Sequence, residues 1–324
     1  MACQPIRTAI RKRLRSIDMP ADLEGITRID TAGEIPAEDA GLEPAAVDAV
    51  WQAVVDTYRA GAHPLLSICL RRDGQIVLNR TIGYQQGDAA DDKAVVAELN
   101  TPICLFSSSK AISAMLLHLL AEQGKIHLLD PVSYYIPEFA ANGKGFITIY
   151  QLLAHRAGVP GIGEDVDPEV LYDHERALAM ICAAKPIDGH GRTAAYHAIT
   201  GGYLIDELIR RTTGLTIQQY MDRHIRKPMG MRYFRYGLTK RDAARAAENR
   251  FTGLPLGRYV GETLKGALGL DYMEVMELTN SDEFMRAVLP AGNIYATAEE
   301  ASRFFQMLLN YGEYNGRRIM QPLT

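Results

Sequence analysis

Residues 106–139 read FSSSKAISAMLLHLLAEQGKIHLLDPVSYYIPEF, and the four residues at the head of this stretch, Ser107-Ser108-Ser109-Lys110, decide how the rest is read. They follow the apolar run Ile103-Cys104-Leu105-Phe106 and lead into a helical pattern that runs to Gln123 and stops at Gly124, a residue suited to a helix C-terminus. As Ser-x-x-Lys on the first turn of a helix, the tetrapeptide sets Ser107 and Lys110 on one face. A serine hydroxyl is a weak nucleophile at neutral pH and is activated by an adjacent base or cation. Lys110 can supply either, and the helix N-terminus adds partial positive charge and N–H groups where an acyl oxyanion would develop. With nine serines and nine lysines in the chain, a chance match has a probability of roughly a quarter, so the surrounding sequence must carry the reading. The plain alternative is a serine-rich helix cap followed by a surface lysine.

The 324 residues are 47% hydrophobic and 23% charged, ordinary values for a globular protein with a substantial core. A net charge of -4 gives no reason to expect a nucleic-acid partner, and the basic run from Arg7 to Arg15 reads as a solvated helix face. The four cysteines, at 3, 69, 104 and 182, form no Cys-x-x-Cys pair, so they read as reduced core thiols rather than a disulfide framework or zinc site. Cys104 sits in apolar surroundings that suit an unreactive thiol. No apolar stretch approaches the roughly 18 residues of a membrane span. The N-terminus lacks the apolar segment of a secretory signal, which points to a cytoplasmic protein. The eight histidines show no metal-ligand clustering and no His-Glu-x-x-His occurs, so no metal and no cofactor are expected. Gly-x-Ser-x-Gly is absent too, and no strand leads into Gly189-His190-Gly191-Arg192-Thr193-Ala194 as a dinucleotide loop would require.

Along the chain, residues 1–40 read as a polar N-terminal arm. Val47, Val50, Trp51, Val54, Val55 and Tyr58 then recur at helical spacing within 44–60. Leu65 to Leu70 and Gln75 to Ile82 flank Arg72-Asp73-Gly74, a hairpin signal. Helices are predicted over 169–184, 198–213 and 217–225, residues 237–290 read as a polar, loop-rich insertion, and 298–310 closes with a strong helix. A second chemical candidate is Tyr196, within Gly191-Arg192-Thr193-Ala194-Ala195-Tyr196-His197-Ala198. A phenol beside a lysine ammonium ionises more easily and becomes a general base, although most tyrosines simply pack.

Taken together, these segments resemble the serine β-lactamase and penicillin-binding-protein family, most closely its class C-like esterase branch. The resemblance runs from about Ala45 to the C-terminus. It rests on the 106–139 stretch together with ITIYQLLAHRAGVPG, AAYHAITGGYLIDELIRRTTG, RKPMGM and PAGNIYATAEEASRFFQMLLNYG. It implies an α/β (α+β) fold in which a mainly antiparallel sheet is flanked by helices and a helical lobe is inserted after the Ser-x-x-Lys helix. The domain would cover 41–324, with sheet parts at 41–106 and 290–324 and the lobe and insertion at about 107–289. It further implies an enzyme acting on a small-molecule ester or amide. Ser107 would be the nucleophile, Lys110 and Tyr196 would shuttle its proton, and Phe106, His197 and Ala198 would lie against the substrate. Oligomeric state is not fixed by the sequence.

Two departures from the family pattern matter. Its second motif, Tyr-x-Asn or Tyr-x-Ser, stands here as Tyr196-His197-Ala198, without the amide that contacts the substrate of β-lactam enzymes, which favours ester cleavage. Its third motif, Lys-Thr-Gly or His-x-Gly, is not found after Ala198. Arg235-Tyr236-Gly237 and Tyr259-Val260-Gly261 have loosely similar form but come too early in the chain. The chain is therefore expected to be truncated at its C-terminus, with a sheet limited to the Asp73-Gly74 hairpin and poor folding or activity unless another segment completes it. A β-lactamase or D-Ala-D-Ala peptidase and a catalytically inactive scaffold stand as the alternatives to an esterase.

Overall fold

The computed structural model describes residues 15–161, 167–253, 261–262 and 272–324, which fall into two compact units. The first draws on the described residues of 15–103, 241–253 and 296–306. Its centre is a four-stranded antiparallel sheet of β1 (Thr27–Ile29), β2 (Leu65–Arg72), β3 (Gln75–Gln86) and β4 (Val95–Val96), with β3 between β1 and β2 and also paired with β4. The β2–β3 turn is Asp73-Gly74, both residues at positive φ (51° and 85°), the geometry of a type I′ hairpin. As the central strand, β3 buries residues on both faces, among them Val77, Leu78, Thr81 and Ile82. Helix α1 (Pro44–Arg59) opens with proline at its first position, where a missing N–H costs nothing. Its stripe of Trp51, Val54, Val55 and Tyr58 packs with Ile82 and Tyr84.

Two expectations are corrected in this unit. The described part of the 1–40 segment is not a polar arm, because Thr27–Ile29 pairs with Arg80–Ile82 and Ile17 and Ile26 are buried beside Tyr58. Their apolar residues are too widely spaced to show a period. The sheet is accordingly not limited to the hairpin. Grouping by contacts also departs from the expected division. Residues 241–253 join the first unit, where Arg250 pairs with Asp88 (3.0 Å) and Thr252 donates to the Ala62 carbonyl (2.5 Å), while 290–295 and 307–324 join the second.

The second unit is built on α2 (Ser109–Glu122), whose Ile112, Leu116, Leu117 and Leu120 are buried. Around it lie α3 (Ile149–Leu153), α4 (His174–Ala183), α5 (Thr200–Thr213) and α6 (Ile217–Met221). A three-stranded sheet in the order β5 (Ile103–Cys104), β7 (Ile294–Ala296), β6 (Arg235–Tyr236) runs beside α2. The Lys144 side chain is fully buried and donates to the carbonyls of Ala141 (2.7 Å), Cys182 (3.0 Å) and Ala184 (2.6 Å). Within the described part of 237–290, α7 (Tyr272–Thr279) and α8 (Asp282–Arg286) form, and Phe284 and Leu289 are buried. Helix α9 (Ala298–Leu309) matches its predicted span but does not end the regular structure. A hairpin of β8 (Glu313–Tyr314) and β9 (Arg317–Arg318) follows across Asn315-Gly316, both at positive φ (48° and 73°). Asn-Gly is the favoured sequence for that turn, so the signal was present.

Candidate active site

Ser107 is held between a strand and a helix. The Leu105 N–H donates to Ile294 O (2.8 Å), Phe106 adopts φ +44°, and a 3-10 turn over Phe106–Ser108 delivers the chain into α2. Ser107 thus stands just ahead of the α-helix rather than within its first turn. A bulky residue at positive φ is strained, and such strain persists only where neighbours enforce it. Here the enforcement comes from two further serines. Ser109 Oγ accepts the Ile294 N–H (3.0 Å), and Ser113 Oγ lies 2.5 Å from Pro290 O and 2.6 Å from the Tyr236 hydroxyl. They tie α2 to the 290–294 segment that faces the nucleophile candidate.

Lys110 Nζ donates to Ser107 Oγ (3.1 Å) and to Ala291 O (2.9 Å), and it lies 4.9 Å from the centre of the Tyr196 ring. The Tyr196 hydroxyl is 2.7 Å from Ser107 Oγ. Three sequence candidates from separate segments therefore meet at one oxygen. Burial pushes the Tyr196 phenol up, but its contacts with Lys110 and Ser107 and the lysine's charge outweigh burial and leave it below the usual phenol range. The 2.7 Å separation is that of an ordinary O–H···O hydrogen bond, within reach of direct proton transfer between the two oxygens.

Tyr196 reaches this position because its loop is zipped to the turn after α3. That helix begins with a capping box, Thr148 and Gln151 bonding each other's backbone N–H. The chain then reverses at His155 (φ +58°). The Ala195 N–H donates to His155 O (2.9 Å), the His197 N–H to His155 Nδ1 (3.1 Å), and the Ile187 N–H to Gly158 O (2.8 Å). A Cβ on Gly158 would lie 2.8 Å from Asp188 O, so the two segments approach this closely only with glycine there.

Beside Ser107 opens a pocket, with about 690 Å³ of empty space counting its part open to solvent, walled by Phe106, Leu171, Ile199, Tyr203, Phe284 and Leu289. Ala198 also lines it, and no charged side chain does so among the described residues. Asn293, fully buried, shapes one wall: its side chain accepts from the Leu289 N–H (3.0 Å) and donates to Phe284 O (3.0 Å) and Ala287 O (2.9 Å). Of the three residues expected against the substrate, Phe106 and Ala198 line this cavity and His197 does not. His197 is 1% exposed, its Nδ1 donating to Ala195 O (2.7 Å) and its Nε2 accepting from the Val159 N–H (3.1 Å). Both nitrogens are used by backbone, and burial pushes its pKa down to about 4, so it is a neutral structural residue.

Cys104 is buried, and burial pushes its thiol up to about 12, which leaves it unreactive beside the serine. Arg235-Tyr236-Gly237 belongs to the core: Tyr236 is fully buried, and a Cβ on Gly237 would strike Ala287 O. Tyr259 and Val260 lie outside the described residues. Among the described residues no cluster of His, Cys, Asp and Glu could hold a metal ion, and no helix is long and apolar enough to cross a membrane. The residue that sequence reading missed is His155. It lies inside the quoted segment ITIYQLLAHRAGVPG, but only the fold brings it against Tyr196.

The fold is that of β-lactamase- and penicillin-binding-protein-like domains. The chain belongs to the β-lactamase family, whose model, described as Beta-lactamase, matches residues 51–324. Esterase/beta-lactamase LipL of Mycobacterium tuberculosis (strain ATCC 25618 / H37Rv) is 28% identical over 227 residues, which cover 67% of this chain and 52% of LipL. The chain thus spans about half the length of that relative. Among solved structures, a penicillin-binding protein homolog from Caulobacter crescentus superposes with a TM-score of 0.74 at 27% identity, covering 86% of this chain and 72% of the other. A family VIII carboxylesterase gives 0.72 at 27%, covering 83% and 71%. EstA from Arthrobacter nitroguajacolicus Rue61a gives 0.72 at 26%, covering 91% and 73%.

Proposed function

We propose that this chain is a serine hydrolase that cleaves uncharged carboxylic esters of small to medium acyl chains through an acyl-enzyme. The observation that carries this reading is Ser107 Oγ, contacted by both Lys110 Nζ and the Tyr196 hydroxyl at the mouth of an apolar pocket with no charged side chain among its described lining residues. Ser107 Oγ attacks the ester carbonyl carbon while its proton passes to Tyr196, whose phenolate is favoured by Lys110. The tetrahedral oxyanion collapses, the C–O bond to the alcohol breaks, and the alcohol leaves with the proton from Tyr196. Water then adds to the acyl carbon and gives a proton to the same phenolate; the tetrahedral intermediate collapses, the bond from the acyl carbon to Ser107 Oγ breaks, and Tyr196 returns the proton to Oγ as the acid leaves. Lys110, fixed by Ala291 O, stays in place through both halves.

The lining supports esters over substrates that bear a carboxylate near the scissile bond, because burying an unpaired carboxylate in an apolar wall costs several kcal/mol. The names of the family VIII carboxylesterase and of LipL are consistent with it. LipL's name also carries β-lactamase, so a β-lactam-hydrolysing reading is kept as the second one. Among the described residues three cysteines, Cys69, Cys104 and Cys182, are unpaired, which fits the reducing, cytoplasmic setting inferred from the sequence.

The test is intact-mass spectrometry after a serine-directed phosphonate, with turnover of p-nitrophenyl butyrate, p-nitrophenyl hemisuccinate and a chromogenic cephalosporin. The expected result is one adduct, lost in Ser107→Ala, with butyrate cleaved at least roughly tenfold faster than hemisuccinate. A folded wild type with neither adduct nor turnover would leave the inactive-scaffold reading. Faster cephalosporin than ester turnover would replace the esterase with a β-lactamase.

A further inference from the structure

We propose that His155 is a positioning residue for Tyr196, gripping the backbone on both sides of that tyrosine and packing its ring at a tilt against the phenol ring. This rests on the proposed role of Tyr196 as proton carrier. The His155 carbonyl accepts the N–H of Ala195 (2.9 Å) and its Nδ1 accepts the N–H of His197 (3.1 Å), the two residues that flank Tyr196. Its ring lies 4.9 Å from the Tyr196 ring at an interplanar angle of 51°.

His155 holds this grip from a left-handed backbone conformation, φ +58°, which is unfavourable for most residues and tolerated best by Asn, Asp and His. Phe106, next to Ser107, is strained in the same way, so both partners of the 2.7 Å contact are presented from strained backbone. Because Nδ1 accepts a hydrogen bond, the neutral ring carries its proton on Nε2. The groups facing His155 are Lys110, Tyr196 and His197, and burial together with the Lys110 charge favours its neutral form. It therefore adds no second cation beside Tyr196. The groups facing Tyr196 are Ser107, Lys110 and His155. If the grip is released, Tyr196 moves away from Lys110, the stabilisation of its phenolate weakens, and its proton leaves at higher pH.

The experiment compares wild type, His155→Phe, which keeps a ring but loses the acceptor, and His155→Asn, which restores an acceptor and suits positive φ. Two readouts are taken. One is kcat and KM for p-nitrophenyl butyrate across pH. The other is the ultraviolet phenolate titration of Tyr196, isolated by difference from Tyr196→Phe. His155→Phe is expected to lower kcat by roughly tenfold to a hundredfold with little change in KM, as small misplacements of a reacting group do. It should also move both the acid limb of kcat and the Tyr196 titration to higher pH, and His155→Asn should recover most of each change. If Phe at φ +58° prevents folding, His155→Gly, which accepts that conformation without ring or acceptor, supplies the same readouts. An unmoved Tyr196 titration in folded His155→Phe or His155→Gly overturns the proposal whatever happens to kcat. Absence of phosphonate labelling in wild type would sink the hydrolase reading instead, and the titration still decides the position of Tyr196.

Discussion

Protonating His197 would cost the fold an acceptor, because its Nε2 receives the Val159 N–H and its Nδ1 is already a donor to Ala195 O. With a pKa of about 4 in the folded chain against an ordinary 6.5, the folded state binds fewer protons than the unfolded one between those values. Stability from this residue is therefore complete above about pH 6.5 and declines as pH falls towards 4, by at most about 1.4 kcal/mol per pH unit. His155, also lowered, acts in the same direction. Urea unfolding at pH 7 and pH 5 should show a steeper loss for wild type than for His197→Gln. An equal loss in both would mean that His197 does not titrate on unfolding. At this scale Ser107, Lys110 and Tyr196 were legible because nucleophile, cation and phenol are informative as residue types. His155 and His197 were not, because their roles are backbone contacts between segments some forty residues apart.

Helix α5 meets the 290–294 segment at a point where only glycine fits. A Cβ on Gly202 would lie 2.6 Å from Ala291 N, and Ala291 O is the acceptor that fixes Lys110. Gly202→Ala should therefore destabilise by about 1–3 kcal/mol, as overpacking does, and also lower kcat. Calorimetry and p-nitrophenyl butyrate kinetics on the same variant check both, and a variant with lost stability but unchanged kcat would separate Ala291 from the function of Lys110. The Lys144 ammonium makes a different kind of junction, joining the 137–143 turn to the end of α4 through three carbonyls. Lys144→Met should cost about 3 kcal/mol by leaving buried acceptors without a donor, measured as a lower urea midpoint with normal ester turnover per folded molecule. Elements were readable wherever a period or turn pair was strong, as for α1, α2, α9 and the Asp73-Gly74 hairpin. β1 escaped because three residues on a sheet edge carry no period, and β6 because a two-residue strand has none to show.

Across the molecule, burial protects thiols that the sequence could only count. Cys104 and Cys182 are buried and Cys69 is partly so. Native alkylation followed by peptide mapping should leave Cys104 and Cys182 unmodified, whereas alkylation in denaturant should reach both. Modification of Cys104 in the native chain would show that the strand leading to Ser107 opens. How distant stretches combine was the part least readable beforehand, since Arg250 and Thr252 reach Asp88 and Ala62 across some 160 to 190 residues of chain. The hairpin at Asn315-Gly316 has a further consequence, for the ageing of the protein. Glycine leaves its amide nitrogen sterically open to attack the preceding asparagine's side-chain carbonyl. Ammonia then leaves, and water opens the cyclic imide to aspartate or isoaspartate. Asn142 is also followed by glycine, but its amide is held by Ala183 O (2.8 Å), whereas Asn315 stands exposed at the tip of its turn. Stored protein should thus lose the amide of residue 315 before that of residue 142, and each isoaspartate lengthens the backbone and breaks the Tyr314–Arg317 pairing, so that the C-terminal hairpin dates the sample.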